Sequence, residues 1–253
     1  MMQSCRRQRQ GKEKLQMIKE YIAVDLETTG LNPVSDAILE IGAARIRDGE
    51  VTDTFETFVN SGVKVPANIT ALTGITQEMA DSGMPCKRAV EEFLRFCGGL
   101  DLLGHNLPFD FSFLKCKTAA MGLSLEKSGI DTLKISRKFL PHLDSRSLES
   151  LCTFFEIPQE KKHRAGFDAM AASRLYLEMG RRYERLEPEA FLPVPLIYRI
   201  KKESSITNSQ KRYLLDLVKY HRIELNASVD GMTKSEASKM IDRIISKYGK
   251  IKR

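Results

Sequence analysis

The chain has 253 residues, 42% of them hydrophobic, and a net charge of +7. That is enough apolar material for one sizeable core with appendages, which excludes wholesale disorder, and no apolar run reaches the ~18 residues of a membrane span. Five scattered cysteines (Cys5, Cys86, Cys97, Cys116, Cys152) form no CxxC pair; with no apolar signal segment at the basic N-terminus, reduced thiols and a cytoplasmic location are expected.

The charge is unevenly placed. Residues 1–20 carry six Lys/Arg against two acids, residues 199–253 fourteen against six, and the stretch between twenty against twenty-five. An acidic middle with basic ends suits a metal-dependent site joined to a polyanion-binding accessory. Basic tails that only aid solubility are the alternative.

In chain order, residues 1–16 lack apolar periodicity and are expected to be a disordered basic extension. Met17 is a second candidate start, and the main domain is expected over 17–185. Tyr21 to Val24 is an apolar run that predicts a strand buried on both faces. Ala37 to Arg47 and Val51 to Asn60 read as two further strands, joined by the hairpin signal Asp48-Gly49. Val65-Pro66-Ala67-Asn68-Ile69 breaks the pattern and opens short helical turns through Leu72-Thr73-Gly74-Ile75-Thr76. Lys87 to Phe96 has apolar residues at helical spacing. Asp101 to Gly104 reads as a short buried strand, a helix follows from about Pro108, and Gly129 to Leu133 suggests a fifth strand. Ser147 to Phe155 and Phe167 to Tyr183 read as helices. Strands in succession, then strands alternating with helices, imply an α/β mixed sheet covered by helices.

Residues 186–200 contain Pro188, Pro193 and Pro195 and are expected to be a linker. Residues 201–253 then form a small helical module. Thr207-Asn208-Ser209-Gln210 and Thr233-Lys234-Ser235-Glu236 fit the capping box. Leu214, Leu217 and Val218 would pack against Ala237, Met240, Ile241, Ile244 and Ile245. Tyr213, Tyr220, His221 and Tyr248 interleave with Lys211, Arg212, Lys219, Arg222 and Lys247. That mix suits either base stacking with phosphate neutralisation or a solvated charged face.

The candidate chemistry lies in acids. Asp25 and Glu27, two apart in a strand, point to one face. Carboxylates that close repel, and a divalent cation such as Mg²⁺ or Mn²⁺ is the natural compensation; acids facing water are the alternative. Asp110 follows in Gly104-His105-Asn106-Leu107-Pro108-Phe109-Asp110, and Asp168 in His163-Arg164-Ala165-Gly166-Phe167-Asp168. Each falls in the first turn of a helix, where an acid also favours the macrodipole.

Taken jointly, Asp-x-Glu, His-Asn-x-x-Phe-Asp and His-x-x-x-x-Asp, in this order on these elements, resemble the DEDDh family of 3′–5′ exonucleases, and most closely the proofreading, epsilon-type exonuclease of bacterial DNA polymerase III. Thr28-Thr29-Gly30-Leu31, Ile38-Leu39-Glu40-Ile41-Gly42-Ala43, Leu72 to Thr76 and Asp131-Thr132-Leu133 match as well. The resemblance covers about Tyr21 to Arg182. It implies a ribonuclease-H-like fold with a five-stranded mixed sheet, and hydrolysis at nucleic-acid 3′ ends that releases nucleoside 5′-monophosphates.

The resemblance also implies a site. Two divalent metal ions, Mg²⁺ or Mn²⁺, would be held by Asp25, Glu27, Asp110 and Asp168. Asp25 would bridge both; Glu27 and Asp168 would complete the site of the metal that holds the attacking water; Asp110 would act on the second, directly or through water. His163 would be the general base. For substrate, the backbone N–H groups of Thr28 and Thr29 would bind the terminal nucleotide, and Leu31 and Phe109 would pack on its base or sugar, with core packing as the alternative. Asn106 would hold substrate or brace its loop, and His105 sits beside it. The implied partners are single-stranded 3′ ends, DNA ahead of RNA, and a DNA polymerase. An RNA-trimming exoribonuclease of the same family and a docking module with vestigial activity are the rival readings.

Overall fold

The computed structural model describes residues 17–159, 163–200, 204–225 and 228–251; the extension expected at 1–16 lies outside these. The chain divides into two compact units, one ending at Tyr198 and the other beginning at Arg199. Among the described residues, no helix is long and apolar enough to cross a membrane.

The first unit opens with β1 (Glu20–Thr28), β2 (Ile38–Arg47) and β3 (Glu50–Asn60). Asp48 and Gly49 both take positive φ, 50° and 87°, as the two-residue turn between β2 and β3 requires. Then come α1 (Ala67–Thr73), α2 (Gln77–Asp81), β4 (Met84–Pro85), α3 (Cys86–Cys97), β5 (Leu102–Gly104), α4 (Leu107–Ala120), β6 (Ser128–Asp131), α5 (Thr132–Phe139), α6 (Leu148–Phe154) and α7 (Ala165–Tyr183). A 3-10 turn at Pro188–Phe191 leads to β7 (Val194–Pro195).

The sheet has seven strands in the order β4-β3-β2-β1-β5-β6-β7, two more than the five expected. The additions are two-residue strands, one at each edge, too short to carry a hydrophobic pattern. β1 is central, antiparallel to β2 and parallel to β5. Both faces of β1 are covered. Tyr21 and Ala23 pack with Ala44, Ile46 and the α7 residues Ala169, Ala172, Leu175 and Tyr176. Ile22, Val24 and Leu26 pack with Phe93 of α3 and with Phe111 and Phe113 of α4. The uninterrupted apolar run follows from this two-sided burial.

Two expectations need correction. The strand read over Gly129 to Leu133 ends at Asp131, whose carboxylate accepts from Leu133 N–H and caps α5. The expected linker at 186–200 is largely structured. Phe191 is fully buried and β7 pairs antiparallel with β6, while Tyr176 Oη donates to the Phe191 carbonyl at 2.8 Å. Prolines shape this return path along the sheet edge and do not free it.

The second unit contains α8 (Asn208–His221) and α9 (Lys234–Tyr248), each opened by a complete capping box, at Thr207/Gln210 and Thr233/Glu236. Leu214, Leu217, Met232 and Ile244 form its core, with Val218, Met240, Ile241 and Ile245 packed around them.

Candidate active site

Alternation along β1 aims its acids. Since Tyr21 and Ala23 face α7, Asp25 and Glu27 continue on that face, toward the α7 N-terminus. β2 pairs Gly42 with Asp25 and Glu40 with Glu27. Gly42 lets α7 come close: a Cβ there would lie 2.0 Å from Gly166 N. The helix therefore starts almost on the strand backbone, which brings Asp168 in its first turn to the strand acids.

Asp110 arrives from the other side. It is buried, and its Oδ1 accepts from Leu26 N–H at 3.0 Å, so β1 itself fixes this carboxylate beside its own acids. His163 precedes α7 with φ of 56°. Its N–H donates to Asp168 Oδ2 at 3.1 Å, and its side chain is exposed. Glu27, His163 and Asp168 each offer a ligand atom within 4.8 Å of one another.

The electrostatics are those of crowded carboxylates. Asp25 is held well above the usual carboxylate range, first by burial and then by Asp110, Asp168, Glu27 and Glu40. Glu27 is pushed up to about 7 by burial, with Asp168 and Glu40 adding and Arg164 opposing. Burial also raises Asp110, against the hydrogen bonds it accepts, and Asp168, against His163. Four hard-oxygen donors that raise one another's proton affinity form a donor set suited to divalent Mg²⁺ or Mn²⁺. The donor chemistry fits such ions; of the expected ligands, Glu27 and Asp168 meet within 4.8 Å, with His163 as the third group.

Sequence reasoning overlooked a supporting pair. Glu40, only 3% exposed, accepts from Arg164 Nη2 at 2.9 Å, from Arg164 Nε at 3.1 Å, and from Ala165 N–H at 3.2 Å. An acid inside the apolar run Ile38 to Ala44 was the available signal, since a buried carboxylate demands a partner.

The expected substrate residues divide. Thr29 N–H donates to the Ala37 carbonyl at 2.9 Å, so it is already engaged. Thr28 is buried and its hydroxyl donates to the Gly30 carbonyl. Leu31 is 84% exposed on the loop after β1, open to a ligand. Phe109 is half-buried and packs on Phe113 with ring centroids 5.0 Å apart. Asn106 takes φ of 65° at the N-cap of α4, side chain exposed, while its N–H donates to Asp131 Oδ1. Both ring nitrogens of His105 are engaged, with Thr132 Oγ1 and the Arg146 carbonyl, each at 2.9 Å. His105 thus braces the β5–α4 junction.

The family profile RNase_T, described as "Exonuclease", matches residues 22–176. The chain belongs to this exonuclease family. All four acids and His163 fall inside the matched exonuclease region, and α8 and α9 fall outside it. The chain is 38% identical over 169 residues to a PolC-type DNA polymerase III of Caldanaerobacter subterraneus, covering 67% of this chain and 12% of that relative. It is 29% identical over 201 residues to "3′-5′ exonuclease DinG" of Bacillus subtilis, covering 79% of this chain and 21% of that relative. The chain thus spans a small part of the curated relatives it matches. Escherichia coli exonuclease I in complex with a dA16 oligonucleotide shares the fold, with a TM-score of 0.57, 18% identity, and coverage of 69% of this chain and 42% of that one.

Proposed function

We propose that the chain is a metal-dependent 3′–5′ exonuclease that hydrolyses the terminal phosphodiester of single-stranded DNA and releases nucleoside 5′-monophosphates. The observation that carries this is the meeting of Glu27, His163 and Asp168 within 4.8 Å, with the Asp25 and Asp110 carboxyls crowded among the same acids.

Asp25, Glu27, Asp110 and Asp168 would hold two divalent metals. When bound, the metals supply charge neutralisation at the phosphate and at the leaving 3′ oxygen. His163 takes the proton of the attacking water; its exposed ring reaches solvent, and its backbone is tied to Asp168. The N-terminus of α7, pressed on Gly42, holds Asp168 in place. Leu31, exposed beside the end of β1, is suited to contact the terminal base. DNA is favoured over RNA by the named relatives, a DNA polymerase and a 3′–5′ exonuclease. Association with a polymerase and a proofreading role belong to the same reading.

The test is digestion of 5′-labelled single-stranded DNA and RNA of matched sequence with Mn²⁺, against an EDTA control. Stepwise shortening of the DNA from its 3′ end, absent in EDTA and in Asp25→Ala, is the expected result. Undiminished digestion by folded Asp25→Ala sinks the proposal, and faster digestion of RNA reassigns the substrate.

A further inference from the structure

The second unit, outside the family match, carries a surface of its own. Its core is aliphatic, built on Leu214, Leu217, Met232 and Ile244. Its aromatic residues, Tyr213, Tyr220 and Tyr248, lie outside that core, at 38%, 49% and 46% exposure. A unit of this size gains most from burying its largest apolar side chains, yet its three tyrosines are left partly in solvent.

Two of these rings lie in contact with a common neighbour, His221, and among cations. Tyr220 lies edge-on to His221 at 4.9 Å, and His221 lies 5.6 Å from Tyr248. His221 Nε2 meets the Gly249 carbonyl at 3.0 Å and so ties the end of α8 to the end of α9. Lys247 Nζ sits 5.0 Å over the Tyr248 ring. Beside them a cavity of about 680 Å³ is lined by Tyr213, Lys219, Tyr220, Lys250 and Ile251, with one acid, Asp216. Compensation of helix dipoles accounts for Lys219, His221 and Lys247 in the last turns. It accounts neither for the exposed tyrosines nor for Lys250 beyond the end of α9.

We propose that this tyrosine–lysine face binds single-stranded nucleic acid, with bases stacked on Tyr213 and Tyr220 and phosphates neutralised by Lys219 and Lys250. Aromatic faces accept any base, and ammonium groups track the backbone, so the face grips a strand without reading its sequence. Charge complementarity singles out this occupant: the unit holds fourteen Lys/Arg against six acids, and a single strand offers both the anions and the π-faces. The inference rests on the exonuclease reading only for the choice of polymer.

The test uses the full chain and fluorescence anisotropy of a labelled oligo-dT in EDTA, across a salt series. Tyr213→Ala with Tyr220→Ala should weaken binding by at least about tenfold. Tyr213→Phe with Tyr220→Phe, which keeps both rings, should restore it. Lys219→Gln with Lys250→Gln should flatten the log–log salt dependence by about 1.4. Wild-type affinity and salt slope in both the alanine and the glutamine variants overturn the proposal and turn the face toward a protein partner. Failure of the phenylalanine variant to restore binding also overturns it. Binding is read without metal, so these outcomes do not depend on hydrolysis. Failure of the exonuclease reading would appear separately, as undigested DNA in Mn²⁺ with binding intact.

Discussion

Arg164 grips Glu40 with two guanidinium nitrogens, at 2.9 and 3.1 Å, from 124 residues away in the chain. Its guanidinium also lies 5.1 Å over the Phe58 ring. His163 is the preceding residue, so this grip sets where the imidazole starts. Arg164→Ala should lower the turnover rate by about tenfold to a hundredfold, with KM little changed. In a His163→Ala background most of this effect should vanish, and what is left comes from Glu27, whose raised proton affinity Arg164 opposes. Single-turnover rates of the single and double variants decide this; a fully additive drop in the double variant would place Arg164 elsewhere in the chemistry.

Asp110 does two jobs that substitution can separate. Its carboxylate accepts Leu26 N–H while facing the other acids. Asp110→Asn keeps an acceptor for that N–H and should preserve the melting temperature while activity falls. Asp110→Ala strands a buried donor and should cost about 1–3 kcal/mol as well. Thermal unfolding of both variants beside their exonuclease rates checks the separation. Equal destabilisation by Asn and Ala would count against it.

Metal-free stability should fall as pH rises. The folded-state values of Asp25, Asp110 and Asp168 are raised, and that of Glu27 reaches about 7. A carboxyl raised on folding leaves the native state with more bound protons than the unfolded chain. Glu27's contribution is thus full below the unfolded value near pH 4 and is lost as pH climbs to about 7, and the three aspartates act in the same direction. In EDTA the melting temperature should be higher at about pH 5 than at about pH 8. Mn²⁺, which binds the ionised carboxylates, should raise the pH 8 value most. Scanning calorimetry with and without Mn²⁺ measures both trends, and a metal-free protein that is more stable at the higher pH contradicts them.

Gly42→Ala tests the seat of α7. The added Cβ would meet Gly166 N at 2.0 Å and the Ala165 carbonyl carbon at 2.1 Å, both backbone atoms that cannot rotate away. Overpacking of this kind costs about 1–3 kcal/mol. Because the displaced backbone carries Asp168, activity should fall by more than the stability loss explains. Exonuclease rates compared with the unfolding midpoint give the answer; wild-type rates in a destabilised variant would show that the seat serves packing alone.

Much of this was legible in the sequence where a pattern is local. The hairpin at Asp48-Gly49, both capping boxes and the same-face placement of Asp25 and Glu27 follow from turn chemistry, backbone N–H demand and strand alternation. Features set by distant convergence were not. Glu40 reads as one polar residue in an apolar run until the register of β2 puts it opposite Glu27 and α7 delivers Arg164. A miss of a local kind lies at Thr132 and Leu133, which read as strand after Ile130 although Asp131 ends the strand and its carboxylate caps the helix that begins at Thr132. The prolines after residue 186 suggested a linker, since the burial of Phe191 depends on α5 and α7, which lie outside any local window.

The return of Phe191 and β7 to the sheet binds a late stretch of chain into both halves of the core. Leu196 is buried in the cluster that also holds Leu102 and Leu107, and Phe191 in the one that holds Tyr21 and Tyr176. A fragment cut at residue 176, where the family match ends, would therefore lack core side chains on both faces of its own sheet.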